Sequence, residues 1–213
     1  MTRRAGTSSA ETRERILAVA TEEFATEAYA KTSLRKICTK ANVTTGALYF
    51  FFESKEDLFR SAIAPVCNKM AELAKEHFSL EFGRNGTPED EITTASNLAR
   101  HIHAIYSENT QAAEAFIRNY NHPIVVDLKN TMIEKISVLI RNYLGLDGKT
   151  IFASAEHDNL AMAWLATLEL DALMHMLHSS PNEEAVSHEA AFVLKFLRGG
   201  INALIMQEKE LPA

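Results

Sequence analysis

Thr32-Ser33-Leu34-Arg35-Lys36-Ile37-Cys38-Thr39-Lys40-Ala41-Asn42-Val43-Thr44-Thr45-Gly46-Ala47-Leu48-Tyr49-Phe50-Phe51-Phe52-Glu53-Ser54-Lys55-Glu56-Asp57-Leu58 reads as two short helices around a tight turn, with a third helix starting behind them. Thr32 or Ser33 can N-cap the first helix, in which Leu34, Ile37, Cys38 and Ala41 recur at three- and four-residue steps, so one face is buried. Asn42 stands where that helix must stop, and asparagine tolerates the left-handed backbone common there. Val43 can plug the turn, and Thr44 can cap a second helix running from Thr45 to about Phe51. Ala47, Leu48 and part of the aromatic run pack back on the first helix. The pattern is a helix-turn-helix, with the second helix in the recognition position.

The outward residues of that second helix are Thr44, Thr45, Gly46, Tyr49 and Phe50. Hydroxyl and amide donors bond phosphate oxygens, a glycine lets the backbone approach a duplex, and an aromatic ring can lie against a thymine methyl. Ser54-Lys55-Glu56-Asp57 has the spacing of a capping box. Lys55 therefore falls in the first turn of the third helix, where a cation is unfavourable until a phosphate docks. Candidate nucleic-acid contacts are thus Thr32, Ser33, Thr44, Thr45, Gly46, Tyr49, Phe50 and Lys55.

The run Thr32–Cys38, then Ala41-Asn42-Val43-Thr44, Gly46-Ala47-Leu48-Tyr49, Phe52 and Lys55-Glu56-Asp57-Leu58 resembles the N-terminal DNA-binding domain of the TetR/AcrR family of transcriptional regulators, over about residues 10 to 62. Three positions depart from the family pattern. Phe51 stands where the family usually has histidine, which removes one polar phosphate contact. Asn42 replaces the usual turn glycine and Cys38 the usual small alanine, both mild changes. The resemblance implies an all-α protein of about nine helices: a three-helix DNA-binding domain over residues 1–54, and a larger C-terminal domain over 55–213 for effector binding and dimerisation.

A net charge of −6 fits poorly with a nucleic-acid partner until it is divided along the chain. Residues 1–60 carry ten Lys/Arg against eight Asp/Glu, a surplus of two positive charges; the remainder carries twelve against twenty, a deficit of eight. Only local potential matters for contact, so a basic end can sit on phosphates while an acidic body stays clear. Arg3 and Arg4 lie in an arm that can either reach an adjacent groove or remain a solubilising terminus. With 46% hydrophobic residues the chain has ample core. No signal segment and no uncharged 18-residue apolar run is read, so a cytoplasmic protein without a membrane partner is expected. Cys38 and Cys67 lack metal-ligand spacing and read as buried apolar residues.

Along the rest of the chain, Ile16, Leu17, Ala20, Phe24 and Ala28 mark a first helix ending near Tyr29. A long helix from Lys55 to about Phe78 contains Pro65, either a simple bend or a pivot. Gly83–Pro88 breaks the chain. Helices then follow over about Glu89–Tyr106 (Ile92, Leu98, Ile102 and Ile105 inward), Asn109–Tyr120, and from His122-Pro123 through Val126 to Tyr143. Gly145 to Gly148 ends the last of these, and two long helices, Ala155–Leu177 and Glu184–Met206, flank a turn at Ser179–Asn182.

Those last two helices are apolar on more than one face, more than one domain can cover. Gly199-Gly200 interrupts the second, at about 1 kcal/mol per glycine relative to alanine, a cost that close approach of another helix explains. Trp164, Leu168, Phe192, Phe196, Gly199 and Gly200 are therefore expected at a homodimer interface, as the resemblance also implies. A two-fold dimer suits a palindromic site, with recognition helices about 34–36 Å apart, or close to a multiple of that, if it reads successive major grooves on one face.

Eight histidines invite a metal reading. His175 and His178, three apart, can share an ion, but no cysteine is near and interface polarity explains them as well; no metal or cofactor is expected. No phosphate loop, nucleophile elbow or zinc-protease motif occurs, so nothing argues for an enzyme. The leading function is a ligand-responsive repressor released from a double-stranded DNA operator by a small-molecule effector. The alternative is a DNA-binding protein controlled by a protein partner. A mostly apolar effector cavity is expected in the C-terminal body, with His101, His103, Asn119 and Glu169 (and Asn121 nearby) as candidate polar groups.

Overall fold

Local capping chemistry sets where the helices begin and end. In the computed structural model, which describes residues 9–79, 88–143 and 154–179 together with 184, 186, 188–193, 195, 196 and 199, eight continuous helices are seen. They are α1 (Ser9–Thr26), α2 (Leu34–Lys40), α3 (Thr45–Phe51), α4 (Lys55–Ser79), α5 (Pro88–Glu108), α6 (Thr110–Arg118), α7 (Pro123–Tyr143) and α8 (Ala155–Ser179). The described positions between 184 and 199 are helical as well, and no strand occurs among the described residues. The all-α architecture is therefore as expected. Arg3, Arg4, the breaks at 83–87 and 145–148, the turn at 180–182 and Gly200 lie outside the described residues.

Packing divides the chain into two units. The first comprises Met1–Asn68 and Asn109–Val126, the second Lys69–Glu108 and Asp127–Ala213. In the first, Ile16, Ala20 and Phe24 of α1 are fully buried at four-residue steps. They share a core with Ile37, Leu48, Phe52, Leu58, Phe59 and Phe116. Each such side chain contributes about 1.5–3 kcal/mol by leaving water. Helix α6 packs on α1, and its buried residues Ala112, Ala113 and Ala115 are small enough to let the backbones close up around Phe116.

Helix α1 stops at Thr26, three residues short of Tyr29. Asn119, at the C-cap of α6, accepts the Tyr29 amide proton through Oδ1 at 2.7 Å and donates from Nδ2 to the Ala115 carbonyl at 2.7 Å. An amide that would have prolonged α1 is thereby spent on a distant partner. Arg118 Nε adds a bond to the Ala25 carbonyl at 2.6 Å. The bonds to Tyr29 and Ala25 join residues 90 and 93 positions apart, which periodicity cannot reveal.

In the second unit, Leu98, Ile102 and Ile105 of α5 face inward, as expected. So do Met132, Ile136 and Ile140 of α7, and Met162, Ala166, Leu170, Leu173 and Leu177 of α8. Helix α5 packs on α8. By length and composition α8 could cross a membrane, but this buried face is that of a core helix. Pro65 sits within α4, three residues before the boundary of the two units at Asn68. It lacks an N–H and leaves the Ser61 carbonyl without its helical donor.

A candidate nucleic-acid interface

The turn between α2 and α3 is closed entirely by backbone and short side chains. Ser33 is the N-cap of α2, its hydroxyl accepting the Lys36 amide proton at 3.4 Å. Thr32, the other candidate cap, is 5% exposed and donates its hydroxyl back to the Glu27 and Ala28 carbonyls. Asn42 has φ 52°, the one positive-φ non-glycine residue among those described. Its amide bonds the Thr39 carbonyl at 3.2 Å and the next amide, Val43, bonds Cys38 at 3.0 Å. These two bonds form a Schellman motif, which satisfies carbonyls the helix leaves open. Asn42→Gly is expected to stabilise the domain by about 0.5–1 kcal/mol, and Asn42→Ala to destabilise it by about 1 kcal/mol, in urea melts. Equal midpoints for the two variants would refute the strain argument.

Thr44 caps α3, its hydroxyl oxygen accepting the Ala47 amide proton at 3.1 Å. With Leu48 buried as the anchor, Thr44, Thr45 and Gly46 are exposed. Tyr49 and Phe50 project further, 51% and 78% exposed. The outward set expected from the sequence is therefore on the surface together. A Cβ on Gly46 would meet nothing nearer than Thr44 Oγ1 at 3.8 Å, so the fold itself does not require glycine there. Phe51 is half-buried with its ring edge-on to Phe50, centroids 5.0 Å apart.

Ser54 opens α4: its hydroxyl accepts the Asp57 amide proton at 3.0 Å, and Asp57 Oδ2 accepts that of Glu53 at 3.0 Å. The first turn of α4 is thus fixed, and Lys55 with it. Its ammonium donates to the Tyr29 carbonyl and lies 4.4 Å from the centre of the Tyr29 ring. Partial burial lowers the Lys55 pKa from its ordinary value. One of three ammonium protons is spent on Tyr29, leaving two that can be aimed at an acceptor outside. Tyr29 also packs against Phe24, Phe59 and His122. Burial, and secondarily the charge of Glu56, raise the Tyr29 phenol pKa.

The positive charge of α2 is partly committed inward. Glu23 of α1 is 1% exposed, and its carboxylate oxygens lie 2.7 Å from both the Lys36 and Lys40 ammonium groups. Burial opposes its ionisation, but those two ammonium groups outweigh it and hold the Glu23 carboxyl below its usual range. Lys31 and Arg35, which the sequence reading passed over, are exposed cations beside Ser33. The spacing of Ile37 and Cys38 already placed Arg35 opposite the buried face, a signal that was available.

The other candidates are dispersed. Asn119 belongs to the first unit, where its amide is used as described. In the second unit His101 is exposed, His103 half-buried and Glu169 buried. Asn121 is exposed. A cavity of about 430 Å³ in that unit is lined by Ala71, Glu72, Lys75, Met132, Lys135, Ile136, Val138 and Leu139, and none of those candidates is among them. Val126, expected inward, is 39% exposed. His175 Nδ1 lies 2.9 Å from Glu189 Oε1 rather than pairing with His178. Among the described residues no group of three or more His, Cys, Asp or Glu has the arrangement to hold a metal. Cys38 is buried as expected, whereas Cys67 is half-buried; partial burial still pushes its thiol up to about 12, which keeps it unreactive. Trp164, Leu168, Phe192 and Phe196 are 69%, 51%, 72% and 59% exposed, and a Cβ on Gly199 would meet nothing within 4 Å.

The capped three-helix arrangement with its exposed α3 face defines a helix-turn-helix protein. Residues 16–62 match the family described as bacterial regulatory proteins, tetR family. The chain is 25% identical over 211 residues to the HTH-type transcriptional repressor BepR of Brucella suis biovar 1 (strain 1330), covering 99% of this chain and 98% of that one. It is 42% identical over 77 residues, 36% of each chain, to the HTH-type transcriptional regulator AcrR of Shigella flexneri. The fold is shared with a crystal structure described as a TetR-family regulator from Syntrophomonas wolfei str. Goettingen. That likeness has a TM-score of 0.59 and 19% identity, and covers 92% of this chain and 97% of that one. Residues 16–62 thus form a helix-turn-helix domain of the tetR family of bacterial regulatory proteins, and the chain as a whole shares the all-α fold of that solved structure.

Proposed function

We propose that the protein is a cytoplasmic, ligand-responsive repressor that binds a palindromic operator as a homodimer and is released by a small molecule. The observation that carries this reading is the exposed face of α3, where Thr44, Thr45, Gly46, Tyr49 and Phe50 stand together over a buried Leu48. Residues 1–54 would read the operator, with Ser33, Lys55 and the exposed Arg35 placed for phosphates, while Thr32 serves through its position rather than its committed hydroxyl. Residues 55–213 would hold effector and partner subunit. The repressor reading is supported by the full-length similarity to BepR.

The effector reading rests on the apolar cavity between α4 and α7, and on chain continuity. Helix α4 carries Lys55 at one end and the cavity residues Ala71, Glu72 and Lys75 further along. Helix α7 follows directly on the segment holding Asn119 and His122. A ligand that binds better to the DNA-incompetent arrangement shifts the equilibrium; one that binds both equally shifts nothing.

The test is operator binding by fluorescence anisotropy across a salt series. Tyr49→Ala is expected to weaken binding about tenfold or more with the melting temperature unchanged. Lys55→Ala should lower the salt slope by about one contact. Gly46→Ala separates the two roles of that residue. The helix should gain up to about 1 kcal/mol, because alanine is the better helix former and the space is there, while operator affinity falls because the backbone is held off the duplex. Wild-type operator affinity in all three variants would remove the assignment of this face.

A further inference from the structure

The cavity on α4 and α7 has walls and mouth of different chemistry. Its walls are Ala71, Met132, Ile136, Val138 and Leu139. Met132 and Ile136 are 8% and 2% exposed, whereas Val138 is 57% exposed at the edge. A volume of about 430 Å³ lies within the roughly 300–1,000 Å³ typical of small-molecule sites. Among the described residues, the ionisable groups lining it are Glu72 and Lys75 on α4 and Lys135 on α7, all exposed. Glu72 and Lys75 are three apart on one helix, so their opposite charges share a face and offset one another. Lys135 on the facing wall is then a surplus positive charge at the mouth of an apolar groove.

This sits in the acidic part of the chain, where residues 61–213 carry eight more Asp/Glu than Lys/Arg. The long-range field there disfavours anions, but it is screened over about 8 Å at physiological ionic strength. A group seated in the mouth, within a few Å of Lys135, therefore feels that local cation more than the distant carboxylates. We propose that this groove binds an amphipathic organic anion, an apolar body carrying one carboxylate, with the body against Met132, Ile136 and Leu139 and the carboxylate at Lys135. The inference rests on the ligand-responsive reading above and names the chemical class of its effector. Apolar burial supplies affinity and Lys135 supplies selectivity among molecules with the same body.

The experiment measures calorimetric binding to the full-length protein without DNA, so that it can fail independently of operator release. Three probes with one tail and different heads are used below their micelle concentrations: dodecanoate, dodecanol and dodecyltrimethylammonium. Dodecanoate is expected to bind tightest, with one molecule per chain. Lys75→Glu/Lys135→Glu, at two exposed positions, should weaken dodecanoate by roughly tenfold, strengthen the cation and leave dodecanol nearly unchanged. Ala71→Phe, which fills the groove from α4, should abolish binding of dodecanoate. Equal affinity for the three heads, dodecanoate binding unaffected by the double charge reversal, or no binding by any probe would each overturn the proposal. If dodecanoate binds as expected but does not release the operator, the site stands and the regulatory reading fails.

Discussion

Trp164→Glu combined with Phe196→Glu is expected to convert a dimer into a monomer in sedimentation, with helical content retained. Leu160, Trp164 and Leu168 follow one another at four-residue steps, so they form one stripe of α8. All three are more than half exposed in the single chain, as are Phe192 and Phe196. Each large apolar side chain left in water forgoes about 1.5–3 kcal/mol, and a contiguous set of this kind marks an association surface. Charged replacements at the centre of such a surface place unpaired carboxylates where water is excluded. The consequence for operator binding is larger than for either contact alone. A dimer engages its second half-site as an intramolecular event, which raises overall avidity by about 10²–10⁴-fold over one half-site. A double variant that sediments as an unaltered dimer would place the interface elsewhere.

Lys36→Met/Lys40→Met is expected to reverse the direction of the Glu23 pKa shift. In the native protein burial raises that pKa but the two ammonium groups prevail, so the net shift is downward. A depressed folded-state pKa means stability that is present above the unfolded carboxylate value and lost as pH falls through the folded one. Removing both lysines leaves burial alone. The shift becomes upward, and the contribution is then present below the unfolded value and lost as pH rises through the folded one. At neutral pH the double variant should lose roughly 3 kcal/mol, because a carboxylate 1% exposed keeps its desolvation cost without its partners. The difference between the two stability-versus-pH curves is the decisive measurement. If Glu23, followed by NMR, titrates below its ordinary value in both proteins, the ion pairs are not what sets it.

The helix-turn-helix was legible in the sequence because everything that closes it is local. Ser33, Asn42, Thr44 and Ser54 each satisfy backbone groups within five positions of themselves. Short side chains of that kind leave a signature at fixed spacing. The same logic explains the misplacements. Thr32 looks like a cap by composition, but the adjacent Ser33 has the extended backbone of a cap (φ −102°, ψ 120°). Thr32 turns its hydroxyl inward instead. Asn119 resembles a polar pocket residue until its partner Tyr29, 90 positions away, is known. Glu23 reads as a surface charge because Lys36 and Lys40, which make its burial tolerable, belong to another helix. The groove was hidden for a related reason: its two walls are some 60 positions apart, and each wall alone is an ordinary amphipathic stripe.

The order of synthesis gives the packing of α6 on α1 a further consequence. The helix-turn-helix leaves the ribosome early, yet the surface that covers α1 and the Asn119 side chain that holds Tyr29 belong to residues 109–126. Until that segment emerges, the nascent N-terminal part exposes an apolar face and an unmet amide, and the intervening chain of the second unit has already been made. Distant pairing of this kind is slow, and incomplete chains with exposed apolar surface are where aggregation begins. Arrested nascent chains ending before α6 should therefore be protease-sensitive and chaperone-bound, and protection of the DNA-reading end should appear only once the chain has passed residue 126.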